Sequence, residues 1–339
     1  MRMEQKAYTA FIMLGIIGPV NGLALPYLID IFSLSLSTAG LLFFTGSLGF
    51  IIASSSYPRL QRSFGIKSLI AAGAATIGLS MALLPILPRW GAVLLASVCV
   101  GLGCGILEVG CNALVVSLEA RRAKAAVNWL HFSYSIGALS GPVIMSRLNL
   151  WTGQWMILYW SGAVLFGFYL MLWLPSPLAV DLRSSLGQRG KSISVIFKDL
   201  RFWLLNAAMF IYCGVEVAMA GWIVTYLHKE LGISLQYAAP AVSLLWSGLM
   251  VGRAVAGRWS ASVKTIPLLL TLFSASAATI TLSAYWSLPL LVYITVFLVG
   301  LSLSAIYPAL IIQGTLVFPK ASQSVSGALV TASGLGALV

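Results

Sequence analysis

Acidic side chains are scarce: eight Asp and Glu stand against 20 Lys and Arg, and charged residues make up only 8% of the chain. An ordinary soluble domain carries about 25% charge, so a normal water-facing surface cannot be built from this composition. Histidine is nearly absent, with two residues. The four cysteines, Cys99, Cys104, Cys111 and Cys213, show no metal-type spacing and no disulfide framework. Small apolar packing is the role left to the thiols. No strand and no Gly-Lys-Ser/Thr element adjoin the Gly101-Leu-Gly-Cys-Gly105 run, and no nucleophile–base–acid set is present. An enzyme is thereby disfavoured, and neither a cofactor nor a metal is expected.

What the chain has in excess is apolar length. It is 60% hydrophobic with a mean hydropathy of +0.97. The stretches Leu69–Leu87 and Thr265–Phe318 carry no charge at all. About 20 apolar residues cross the hydrocarbon core as a helix, so the expected fold class is an all-α polytopic membrane protein. Hydropathy and turn signals place eleven segments at roughly 7–30, 38–58, 66–87, 91–118, 124–148, 153–174, 201–227, 237–259, 265–284, 288–317 and 322–339. The first is too long for a secretory h-region and lacks a small-residue cleavage site, so it reads as a spanning helix.

Positive charge sets the orientation. Numbering loops from a cytoplasmic N-terminus puts Arg2, Lys6, Arg59, Arg62, Lys67, Arg121, Arg122, Lys124, Arg183, Arg189, Lys191, Lys198, Arg201, Arg253, Arg258, Lys264 and Lys320 on the cytoplasmic side. Only Arg89, Arg147 and Lys229 fall on the other. That bias fits an inner-membrane protein with its N-terminus inside. The net charge of +12 is then topological, and no nucleic-acid partner is needed.

The polar stretch Pro175–Lys198, rich in Ser, Gly and Gln, reads as a linker between two halves. The expected domains are an N-terminal six-helix bundle at about 1–174, a cytoplasmic linker at about 175–200 and a C-terminal bundle at about 201–339. The second bundle would hold about five of six helices, which suggests truncation of the last one to two. Short internal matches support a repeat. Val100-Gly101-Leu102 recurs as Val299-Gly300-Leu301, and Phe44-Thr45-Gly46 resembles Trp246-Ser247-Gly248.

Two carboxylates, Glu108 and Glu216, sit well inside expected helices. Intramembrane acids usually face a cavity or a partner, and a protonatable one can carry a proton between the two sides. Glu108 is therefore the candidate proton-coupling residue. Asn112 follows it by one turn on the same face. Asn128, His131 and Ser135 share a face of the fifth segment, and imidazole titrates near neutrality. In the seventh segment Tyr212 precedes Glu216 by four residues, and Trp222 precedes Tyr226 by four. Aromatic faces can stack on sugar rings, although Trp222 and Tyr226 also suit an interfacial belt. Tyr307-Pro308 in the tenth segment predicts a kink whose freed carbonyl needs another donor.

These motifs resemble the fucose-permease branch of the major facilitator superfamily. The resemblance is carried by Gly101–Asn112, Asn128–Gly137, Tyr212–Tyr226, Gly252-Arg253 and Tyr307-Pro308, and it runs over nearly the whole chain. It implies alternating access of two bundles and proton-coupled uptake of a sugar. With Asn128 at a polar position of the branch's fifth helix, the candidate solute-binding set is Asn21, Asn112, Asn128, His131, Tyr212, Glu216, Trp222 and Tyr307, and Arg62 and Arg253 are the gating candidates. The branch's first-helix acid corresponds here to Gly22, and no acid stands in Arg59-Leu-Gln-Arg62-Ser-Phe-Gly65-Ile-Lys67. Fucose itself is therefore not singled out. Beside the sugar symporter, expected to act on a small solute and a proton within a lipid bilayer, stand two alternatives. One is a drug or metabolite efflux antiporter; the other is a non-transporting receptor or scaffold.

Overall fold

The computed structural model describes residues 2–118, 123–175, 193–259, 264–283, 285 and 288–338. The chain divides into two compact units, Met1–Gly187 and Gln188–Val339. The first contains α1 (Met3–Ile17), α2 (Val20–Phe32), α3 (Leu36–Leu83), α4 (Trp90–Leu118), α5 (Ala123–Thr152) and α6 (Ile157–Trp173). The second contains α7 (Leu200–Lys229), α8 (Leu235–Ala238), α9 (Pro240–Trp259), α10 (Thr265–Ser283), α11 (Pro289–Leu303), α12 (Ile306–Val317) and α13 (Ser322–Gly336).

Each of the eleven expected segments is helical, because a chain in hydrocarbon must satisfy its backbone internally. Seven helical stretches among the described residues are long and apolar enough to cross a membrane, and α5 and α6 form a further pair bent by 117°. The protein is a multi-pass membrane protein.

Several boundaries differ from expectation, each for a local reason. The first segment is two helices, α1 and α2, parted at Gly18-Pro19, where Pro19 lacks the amide a continuous helix would use. The second and third segments, both within the range of α3, are two helices that meet with almost no loop at a kink at Gly65, whose φ 75° and ψ 157° are not helical. Nothing crowds a side chain there, so backbone conformation alone calls for glycine. Residues 176–192, most of the expected linker, lie outside the described residues. Ile193–Lys198 forms a short 3-10 turn, after which the Asp199 carboxylate accepts from the Arg201 amide and opens α7. Beside it the Arg201 side chain donates back to Asp199, from Nη2 at 2.6 Å. In the first unit Lys6 is buried, not a loop charge: its Nζ donates to the Leu172 carbonyl at 2.7 Å, at the end of α6.

Helices within each unit approach through glycine, the residue that lets membrane helices pack backbone to backbone. A methyl group at Gly49 of α3 would collide with the Val98 carbonyl of α4, and one at Gly101 with the Gly46 carbonyl. In the second unit a methyl at Gly248 of α9 would collide with the Phe297 carbonyl of α11, and one at Gly300 with the Leu245 carbonyl. Every number in the second set is its counterpart in the first plus 199. Gly15 and Gly137, where α1 meets α5, correspond in the same way to Gly214 and Gly336, where α7 meets α13. One packing scheme is therefore used twice. The match of Gly46 with Gly248 is corrected by these contacts: the structural counterpart of Gly248 is Gly49.

Large apolar side chains such as Leu95, Val164, Met171 and Leu270 point outward. This arrangement suits lipid, which needs no polar surface.

Candidate solute site

In the first unit the Glu108 carboxylate is half-buried on α4. Among the described residues it has no ion-pair partner. Asn112 stands one turn on, as its spacing predicts, but its Nδ2 donates to the Glu108 carbonyl at 2.9 Å rather than to the carboxylate. Asn21 of α2 accepts through Oδ1 from the Tyr159 hydroxyl of α6 at 3.0 Å. That tyrosine meets Trp155 edge-on, and Trp155 stacks on Tyr27 with centroids 6.1 Å apart. The Tyr27 hydroxyl in turn accepts from Asn149 at 2.7 Å. This amide–aromatic chain fixes Asn21, and the spacing of Trp155 and Tyr159 by one turn was its only sequence signal.

His131 is exposed on α5 and meets Phe11 of α1 edge-on, with centroids 5.7 Å apart. Ser135, grouped with it by spacing, spends its hydroxyl on the His131 carbonyl at 3.1 Å. The side chain of Asn128 lies outside the described residues. Arg62 is exposed on α3, three residues before the Gly65 bend.

The second unit gathers a tighter set. Tyr212 is buried on α7, beside the half-buried Glu216 one turn along. The Tyr307 ring of α12 lies 6.2 Å from that of Tyr212, tilted by 57°. Arg253 of α9 places Nη2 4.0 Å from Glu216 Oε1, and its Nε donates to the Ser304 carbonyl at 3.3 Å. The sequence alone gives Arg253 as a cytoplasmic cation with no link to Glu216. Arg253 stands two residues before the end of the apolar span Leu235–Val255, with Glu216 beside its guanidinium. Trp222, six residues beyond Glu216, is turned about 120° around α7 and does not share the Tyr212–Glu216 face.

Chemically, the second unit offers an aromatic pair beside a carboxylate and a guanidinium, suited to the apolar faces and hydroxyls of a small polar solute. The first offers a carboxylate with no cation beside it among the described residues. No group of three or more His, Cys, Asp or Glu among the described residues is placed to hold a metal ion.

The family profile described as Major Facilitator Superfamily matches residues 7–339. The chain is 22% identical over 350 residues to the glucose/mannose transporter GlcP of Bacillus subtilis, covering 98% of this chain and 84% of that protein. It is 25% identical over 279 residues to the Bypass of stop codon protein 6 of Saccharomyces cerevisiae, covering 73% of this chain and 54% of that one. Among solved structures, the nucleoside transporter NupG superposes with a TM-score of 0.84 at 11% identity, covering 99% of this chain and 89% of that one. A D-xylose–proton symporter superposes with a TM-score of 0.70 at 14% identity, covering 99% of this chain and 87% of that one. With its all-helical spans, its doubled packing scheme and a family match over nearly its whole length, the chain belongs to the Major Facilitator Superfamily and is a membrane transporter, not an enzyme.

Proposed function

We propose that this transporter carries a small sugar across the inner membrane, N-terminus inside, by alternating access coupled to proton entry, with Glu108 as the proton carrier. The observation that carries this reading is the contrast between the two intramembrane acids. Glu216 has Arg253 beside it, whereas Glu108 has no cation partner among the described residues. A carboxylate at membrane depth with no counter-charge is relieved of its charge by taking a proton, and that proton can be released once the site opens to the other side. Glu216 then serves the solute, together with Tyr212 and Tyr307, whose rings present apolar faces to a sugar. The proposed domains are those expected, a bundle at about 1–174 and another at about 201–339 joined by a linker. Sugar as the solute class is supported by the glucose/mannose transporter of Bacillus subtilis among the relatives.

The test uses protein reconstituted in liposomes with an internal pH dye, to which hexoses, deoxyhexoses and polyols are added one at a time. Proton entry driven by one sugar, absent in Glu108→Gln while sugar counterflow persists, is the expected result. Proton entry that survives in Glu108→Gln would remove Glu108 from coupling. Silence across the panel with properly inserted protein would remove the sugar reading.

A further inference from the structure

Pro308 lacks the amide hydrogen that, in a continuous helix, would bond the carbonyl of Ser304 four residues earlier. The helix parts at that place: α11 ends at Leu303 and α12 begins at Ile306, with Ala305 between them at φ −103° and ψ 0°. Inside a bilayer a freed carbonyl must find a donor within the protein. Arg253 supplies one, through Nε at 3.3 Å. Gly252, the residue before it, brings α9 so close that a methyl there would collide with the Ser304 side chain. The same guanidinium turns Nη2 toward Glu216 on α7. A planar fork can serve two acceptors in different directions at once, which a lysine ammonium on its flexible stem does less well. Just beyond the break, Tyr307 meets Tyr212, one turn before Glu216.

The first unit shows that the packing scheme does not require this arrangement. Subtracting 199 turns Arg253 into Ser54, Ser304 into Gly105, Pro308 into Val109 and Glu216 into Ile17. There α4 runs unbroken from Trp90 to Leu118, and Gly105 packs against the Phe50 carbonyl and Ala53. The break, the arginine and the acid occur together in one unit and are all missing at the corresponding places of the other.

We propose that Arg253 is a positioning residue that latches the α11–α12 break to Glu216, so that a solute engaging Glu216 or the guanidinium is felt at the break and at Tyr307. The solute half of this statement rests on the reading of Glu216 as solute-facing; the link between Glu216 and the break does not.

Hydrogen–deuterium exchange of the full chain in nanodiscs, with no solute added, tests the link. Arg253→Met should speed exchange of the amides of residues 304–310 about tenfold, with the rest of α7–α13 little changed. Glu216→Gln should speed the same amides about threefold, because the arginine is no longer steered by a charge. Glu216→Gln combined with Arg253→Met removes both charges, so no orphan ion disturbs insertion, and it should match the arginine variant. Adding Pro308→Ala to Arg253→Met supplies the missing amide and should restore slow exchange at the break. An unchanged break in Arg253→Met, a rise spread evenly over the unit, or no response to Glu216→Gln would each overturn the latch. D-glucose counterflow in vesicles then tests the solute half: Arg253→Met should lose it and Pro308→Ala should recover part. If wild-type vesicles carry no D-glucose, the sugar reading fails while the exchange result still decides the latch.

Discussion

Gly101 of α4 lies against Gly46 of α3 so closely that a single added methyl would strike the Gly46 carbonyl oxygen, and Gly300 of α11 lies in the same way against Leu245 of α9. Backbone cannot yield as a flexible side-chain tip would. Gly101→Ala and Gly300→Ala should each lower stability by about 1–3 kcal/mol, as overpacking does. Thermal unfolding in detergent would show it. A loss at one glycine only would mean that the two contacts, though equivalent in position, differ in rigidity.

Tyr159 holds Asn21 by its hydroxyl. Tyr159→Phe removes that donor while keeping the ring against Trp155, so stability should fall by only about 1 kcal/mol. If Asn21 contacts the solute, the apparent KM for the transported solute should rise several-fold with the maximal rate retained. Uptake kinetics that leave KM unmoved would take Asn21 out of the solute site.

Lys6 donates to a carbonyl in the last turn of α6, where helical carbonyls lack partners and the helix dipole is negative. Lys6→Met keeps the apolar stem and removes the charge. It should cost about 1–2 kcal/mol, measured by the same unfolding assay.

The Arg201 side chain and amide hold the Asp199 carboxyl below its usual range. A carboxyl so lowered contributes stability that is present above the ordinary carboxylate pKa, about 4, and is lost as pH falls through the lowered folded value. Asp199→Asn should therefore melt slightly below wild type at neutral pH, with the gap closing only under acid conditions below about pH 4. A gap that closes near neutrality would assign it to some other group.

The helical segments were legible because hydrocarbon leaves the backbone few options, so apolar length maps directly onto helix. Glu108 and Glu216 were legible for the same reason, since charge at depth is conspicuous. What sequence spacing could not supply was distance between helices. The gating role of Arg253 is implied by the family resemblance alone; its approach to Glu216 on α7, 37 positions away, is not visible in the sequence. Nothing in the sequence ties Tyr159 to Asn21, because 138 positions separate them. The repeat is legible in the sequence, but residue type alone pairs Gly46 with Gly248, because both follow an aromatic and a hydroxyl residue. Backbone contacts, not neighbouring residue types, set the register at Gly49. Pro308 announced a missing donor correctly and left its replacement unnamed.

The doubled packing scheme has a consequence in time. The close glycine contacts of the first unit all lie between residues within Met1–Gly187, so none waits for a later helix. At a synthesis rate of about 5–20 residues per second, residues 188–339 take roughly 8–30 s to follow. Helix pairing takes far less time than that. The first bundle can therefore close its seams in the membrane while the second is still emerging, and a lesion at Gly101 should be visible to quality control before Arg253 has been made.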